Sequence, residues 1–182
     1  MKRLCIFCGS RTGDDPAYSA MAAEVARSVA GAGYGIVYGG GSVGLMGIVA
    51  DTGLACGTEV IGIIPQTLAE SEIAHAGLAQ LHVVTTMHER KAMMAELSDA
   101  FIALPGGFGT MDEFCEMVTW RQLAIQDKPI GLLNYLGYYD PLLALFDSMV
   151  ERGFITERAR RLFVNAPRIE ELLHSMFGGP GA

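Results

Sequence analysis

The chain has 182 residues, of which 51% are hydrophobic and 18% charged, enough for one domain with a real core and too apolar for disorder. Thirteen Lys and Arg against twenty Asp and Glu give a formal net charge of −7, which leaves no basic footprint for a nucleic-acid backbone. The mean hydropathy is +0.31 and residues 28–50 carry no formal charge, but eight of those 23 residues are Gly and two are Ser, a composition of turns rather than of a membrane span.

The apolar run at 4–8 follows two cations but is too short for a secretory leader, so a cytoplasmic location is expected. Further apolar runs at 36–38, 60–64, 81–84, 100–104 and 130–133 read, with the first, as strands buried on both faces. Helical patterns occupy 16–30, 43–56, 87–97, 111–125 and 138–152. Strand and helix alternate, which predicts a single-domain α/β fold over 1–182, a doubly wound parallel sheet with helices on both faces. The tail, 156–177, reads as two short helices around Leu162-Phe163-Val164, with Pro167 opening the second. Cys5 and Cys8 are three apart in a strand and so face opposite sides, which predicts buried reduced thiols rather than a bridge or a shared metal.

In such a sheet ligands sit at the carboxyl ends of strands, and three of those ends carry special chemistry. Cys8-Gly9-Ser10-Arg11 ends the first strand and makes Ser10 a candidate contact, with Asp14, Asp15 and Pro16 as helix-start signals. The run from Gly39 to Gly47 ends the second, and Gly39, Gly41 and Gly44 fit the spacing G-x-G-x-x-G. A dinucleotide site would need an acid at the end of the next strand, whereas Glu59 precedes 60–64, so the turn is read instead as one where a phosphate, ribose or base approaches Gly41 and Ser42. The third, Pro105-Gly106-Gly107-Phe108-Gly109-Thr110, joins a strand to a helix expected to begin near Met111. Its free N–H groups and the helix dipole favour an anion over Gly107, Phe108, Gly109 and Thr110, with Met111 and Asp112 adjoining. No Lys follows the last glycine, so a monophosphate fits better than a triphosphate.

Each of these motifs also has a plainer reading. Thr110 and Glu113 have the spacing of a capping box, as do Thr86 and Glu89. Arg90 and Lys91 fall in the first turn of the helix from 87, where the dipole disfavours cations; they either face an anion or an electron-rich ring, or form an ordinary solvated pair. Met87 and Met94 flank Arg90 on one helix face and would line an adaptable apolar pocket or pack in the core. His75, His82, His88 and His174 lack metal spacing, and no G-x-S-x-G elbow is present; neither a metal nor an organic cofactor is expected.

At Gly39 to Gly47, at Met87-His88-Glu89-Arg90-Lys91 and at Pro105-Gly106-Gly107-Phe108-Gly109-Thr110-Met111-Asp112-Glu113, the sequence closely resembles the LOG family, the cytokinin riboside 5′-monophosphate phosphoribohydrolases. The likeness continues through Trp120 and the stretch 127–134 and covers nearly the whole chain. It implies a Rossmann-like fold, usually a homodimer, that hydrolyses the N-glycosidic bond of adenosine 5′-monophosphates carrying an N6 substituent, with plain AMP also a substrate in many relatives. The products are the free base and ribose 5-phosphate. By position, the resemblance makes Arg90 and Glu113 catalytic, puts Gly107 to Thr110 on the phosphate, and adds substrate contacts by Glu72, Lys91 and Thr119. Asp112 stands where many relatives have Glu; Asp112 and Glu116 are fallback carboxylates.

The chemistry agrees with this assignment. An oxocarbenium-like sugar is stabilised by a nearby carboxylate that also positions or deprotonates water, a role for Glu113. Arg90 cannot release its proton, so it stabilises and orients the departing purine electrostatically. A competing reading is a nucleotide sensor or carrier on the same scaffold without hydrolysis, which would need neither Arg90 nor Glu113. A pyridoxal-phosphate decarboxylase would need a Schiff-base lysine, and of Lys2, Lys91 and Lys128 only Lys91 falls near the site. Phe114, Val118, Trp120 and Leu123 supply either a dimer face or core packing.

Overall fold

In the computed structural model, which describes residues 1–69 and 74–178, the short apolar runs become the strands of one parallel sheet. The elements are β1 Arg3–Phe7, α1 Pro16–Gly31, β2 Gly35–Tyr38, α2 Gly44–Ala55, β3 Val60–Pro65, α3 Gln66–Ala69, β4 Gln80–Val84, α4 Met87–Glu96, β5 Ala100–Ala103, α5 Phe108–Gln122, β6 Ile130–Leu133, α6 Asp140–Glu151, α7 Glu157–Arg160, β7 Val164–Ala166 and α8 Ile169–Phe177. The strand order is β4-β3-β2-β1-β5-β6-β7, and every pairing is parallel. The chain works outward from β1 to β4, then returns through α4 to β5 on the other side of β1. The winding therefore reverses between β1 and β5, the place where such sheets open a ligand crevice.

Alternation along the strands divides the core in two. Leu4, Ile6, Ile36, Tyr38 and Ile102 face a layer containing Val25 and Val29 of α1, Val49 of α2 and Leu172 of α8. Cys5, Phe7, Val37, Phe101 and Leu132 face the opposite layer, with Met94 of α4 and Phe114 and Met117 of α5. Two faces that are both apolar demand helices on both sides, which is why the strands read as continuous hydrophobic runs. Cys5 and Cys8 fall in different layers as buried free thiols.

Two expectations are corrected. Residues 81–84 are not buried on both faces, because β4 is the sheet edge: only Val84 is buried, and Val83 is 59% exposed. The tail is not two helices alone, since Val164–Ala166 forms a seventh strand beside Gly131 to Leu133; three residues are too few for a periodic signal. Helix bounds shift most at α5, which starts at Phe108 rather than near Met111, and at α6, which starts at Asp140 after a 3₁₀ turn, Tyr135–Gly137. No helix among the described residues is long and apolar enough to cross a membrane.

Gly44 ties the ends of β1 and β2 together. Its φ is +62°, and a Cβ there would fall on the backbone of Ser10 and Arg11, while Leu45 N donates to Gly9 O at 3.0 Å. Gly57 has a similar φ of +74° but open space around it. Chemical denaturation should therefore show that Gly57→Ala costs about 1–2 kcal/mol, the left-handed strain alone, and Gly44→Ala roughly 3 kcal/mol or more, strain plus overlap. Equal losses would mean that the two turns are not in close contact.

Candidate active site

At the reversal point the ends of β1, β2 and β5 come together through backbone. Leu104 N donates to Phe7 O at 2.8 Å and Gly9 N to Pro105 O at 3.3 Å. Gly106 has no room for a side chain, since a Cβ would meet the Thr110 hydroxyl and, at 2.9 Å, Gly9 N. The chain then enters α5 with Gly107 as N-cap and no side-chain cap; Met111 N to Gly107 O, 3.1 Å, is the first helical bond of the turn. The amides of Phe108, Gly109 and Thr110 thus precede the helical ladder at the positive end of the dipole, a ready anion site. Thr110 lies inside the helix, so Thr110 and Glu113 do not form the capping box their spacing allows. The Thr86–Glu89 box is real: Glu89 N donates to Thr86 Oγ1 at 3.1 Å and Thr86 N to Glu89 Oε2 at 3.3 Å.

That box starts α4 so that its next residue, Arg90, turns inward. Arg90 is 6% exposed and Glu113 9%. The guanidinium donates from Nε to Ile63 O at 3.1 Å and from Nη2 to Gly39 O at 2.8 Å. Its Nη1 lies 3.6 Å from Met87 Sδ and 3.9 Å from Glu113 Oε1. A Cβ at Gly39 would fall on Arg90 Nη2, so a side chain there would displace the guanidinium. Arg90 is therefore not a solvated cation; a charge so placed requires these acceptors and the facing carboxylate. Lys91 is also buried and pairs with Asp112 at 3.0 Å and Glu116 at 3.2 Å. Burial works against its charge, but the hydrogen bonds to Asp112 and Glu116 outweigh burial and hold it above the ordinary lysine value.

Arg90 and Glu113 close the floor of a cavity of about 150 Å³, whose walls are Cys8, Gly9, Ser10, Gly39, Met46 and the stretch from Gly107 to Thr110. Burial, and then the charge of Glu113, push the Cys8 thiol far above its ordinary value, so it is no nucleophile. A second cavity of about 430 Å³ shares Gly9, Ser10, Gly107 and Phe108 with the first and opens toward Arg11, Tyr18 and Tyr138. Among the described residues no cluster of His, Cys, Asp and Glu could hold a metal ion.

The sequence candidates separate on this geometry. Arg90, Glu113, Ser10, Gly107, Phe108, Gly109 and Thr110 line the inner cavity, and Met87 touches Arg90 from the rim. Met94 does not reach it: at 1% exposure it packs in the core layer that contains Phe101 and Phe114. Met111 packs against the same core, and Asp112 is held by Lys91. Gly41 pairs with Ala74 in a single antiparallel bridge, and the Ser42 carbonyl abuts Gly47; neither lines the cavity, where Gly39 takes their place. Thr119 donates to Cys115 O at 2.7 Å and faces a separate groove of about 120 Å³ with Phe146 and Phe163. Phe114 is core, not surface, while Val118 and Trp120 are half-buried against it. Glu72 lies outside the described residues. Met46 and Cys8 were missed, though both belong to the strand-end runs already singled out. Glu59 pairs with Arg3 at 2.7 Å, at the end of the sheet away from the site.

The fold and site define a Rossmann-like α/β protein with an uncapped helix start beside a buried Arg–Glu pair. A family model described as "Possible lysine decarboxylase" matches residues 46–176. A probable cytokinin riboside 5′-monophosphate phosphoribohydrolase of Oryza sativa subsp. japonica is 52% identical over 174 residues, 96% of this chain and 78% of that one. A cytokinin riboside 5′-monophosphate phosphoribohydrolase of Arabidopsis thaliana is 47% identical over 175 residues, 96% and 82% of the two chains. The chain belongs to this LOG family. Among solved structures, the molybdenum cofactor binding protein of Rippkaea orientalis superposes with a TM-score of 0.70 at 20% identity, covering 96% of this chain and 97% of that one. The molybdenum cofactor carrier protein of Chlamydomonas reinhardtii gives 0.70 at 21%, covering 98% and 100%. These two likenesses show a shared fold.

Lys91 is a poor Schiff-base nucleophile, because its raised pKa keeps it protonated at neutral pH. Lys128 Nζ donates to Ala95 O at 2.7 Å, outside the cavity. Pyridoxal 5′-phosphate followed by borohydride should leave Lys91 unlabelled in peptide mass spectra; stoichiometric labelling at Lys91 would contradict the ion-paired geometry.

Proposed function

We propose that the protein hydrolyses the N-glycosidic bond of N6-substituted adenosine 5′-monophosphates, and of AMP itself, releasing free base and ribose 5-phosphate. The observation that carries this reading is that one cavity joins the uncapped start of α5 to the buried Arg90–Glu113 pair. The relatives named above as cytokinin riboside 5′-monophosphate phosphoribohydrolases support the substrate class.

In this reading the 5′-phosphate rests on the amides of Phe108, Gly109 and Thr110 and on the Thr110 hydroxyl. Glu113 lies one turn further along the same helix, so the anchor sets the distance from phosphate to carboxylate through rigid backbone. Glu113 stabilises the cationic sugar as the bond to the base lengthens and takes a proton from the attacking water, whose oxygen joins the anomeric carbon. Arg90 opposes the negative charge that develops on the leaving purine and faces the Glu113 carboxylate at 3.9 Å. Residues 1–182 act as one nucleotide-binding unit, with no cofactor. We place the protein in the cytoplasm, where its four free cysteines stay reduced. We further propose a homodimer, with exposed Leu123 and Ile125 beyond α5 contributing to the contact.

Since Glu113 is not part of a capping box, Glu113→Gln removes the charge without undoing a helix start. Release of base and ribose 5-phosphate from AMP and from isopentenyladenosine monophosphate, followed by chromatography, should fall by on the order of 100-fold or more while AMP binding persists. Full activity in this variant would remove Glu113 from the mechanism. Arg90→Lys keeps one charge but cannot reach Ile63, Gly39 and Glu113 together, and turnover should drop at least ~10-fold. Wild-type protein that binds either nucleotide without releasing base would instead be a sensor or carrier. Light scattering at micromolar concentration should give a dimer mass; a monomer would reject the dimer proposal.

A further inference from the structure

The glycine turn presents three successive carbonyls, those of Leu104, Pro105 and Gly106, which would repel a bound anion if they faced it. Each is engaged by a donor from outside the turn: Leu104 O by the Tyr139 hydroxyl at 2.6 Å, Pro105 O by Gly9 N at 3.3 Å, and Gly106 O by the Tyr138 hydroxyl at 2.7 Å. The two tyrosines come from the connection between β6 and α6, which is itself fixed. Tyr139 N donates to Asn134 Oδ1 at 2.7 Å, and Asn134 Nδ2 donates to Asp140 Oδ1 at 2.7 Å. The Tyr138 ring meets Tyr139 edge-on at 4.8 Å and Tyr18 of α1 at 6.0 Å.

The orientation of one peptide follows from this. The Gly106–Gly107 bond is trans, so its C=O and N–H point in opposite directions. Tyr138 lines the outer cavity alone, whereas Gly107 lines both. With the Gly106 carbonyl drawn toward Tyr138, the Gly107 N–H points to the opposite side of that peptide. We propose that Tyr138 is a positioning residue for phosphate recognition: through Gly106 O it fixes the peptide whose N–H opens the anion site. The inference rests on the phosphate reading of the α5 start given above.

The test is calorimetric titration with inorganic phosphate and with AMP, using wild type, Tyr138→Phe and Tyr18→Phe. Phe keeps both ring contacts and removes only the hydroxyl, at a position 42% exposed, so folding is not at stake. Tyr138→Phe should weaken phosphate and AMP by roughly 3- to 10-fold, while Tyr18→Phe leaves both unchanged. In turnover, kcat/KM for the monophosphate should fall in parallel, while kcat/KM for the unphosphorylated riboside should not move, a split that a merely structural role would not produce. Unchanged phosphate affinity in Tyr138→Phe, or an equal loss on phosphorylated and unphosphorylated substrates, would overturn the proposal and leave the hydrolase reading standing. Wild type that binds neither phosphate nor AMP would overturn both.

Discussion

Arg90 carries a charge that it cannot shed, yet it is almost wholly withdrawn from water, so the protein must bring acceptors to it. It finds them at the end of β3 and in the turn after β2, through Ile63 O and Gly39 O. Much of the surrounding structure meets that demand. Gly39 lacks a side chain because the guanidinium occupies its place, and the Thr86–Glu89 box starts α4 at the residue that aims Arg90 inward. The arrangement leaves Glu113 facing a fixed positive charge 3.9 Å away.

The reversal of winding between β1 and β5 puts this pair where a ligand can reach it. The same reversal brings the β1 and β5 turns into backbone contact, Gly9 against Pro105 and Gly106, so that the start of α5 is uncovered but not loose. One helix then carries both the uncapped start and, one turn on, the carboxylate. In the proposed reading, that economy makes the distance between phosphate and carboxylate a property of α5 rather than of a flexible loop.

Most of the sheet was legible because its strands are continuous apolar runs broken by glycine turns, and the strand-end glycines pointed to the crevice. What failed did so for physical reasons. Residues 164–166 are too short to show a period, and 81–84 have the composition of an interior strand but sit at the edge. The spacing from Thr110 to Glu113 imitates a capping box because both place a hydroxyl and a carboxylate one turn apart. Met94 shares a helix face with Arg90 by spacing, yet the long guanidinium reaches up to the strand ends while the thioether stays under the sheet. The burial of Arg90 could not be read locally, since its acceptors lie 27 and 51 residues away. The two tyrosines on the glycine turn were likewise invisible, their partners being 32 and 35 residues distant.

The central claim is that phosphate anchoring at α5 delivers the glycosidic bond to Glu113. It is tested most directly by comparing kcat/KM of the wild-type protein for isopentenyladenosine 5′-monophosphate and for isopentenyladenosine, which differ only in the anchor. Anchoring predicts a loss of at least ~100-fold when the phosphate is removed, expressed in kcat as well as KM because remote binding energy is used at the reacting centre. Equal efficiency on the two substrates would contradict it.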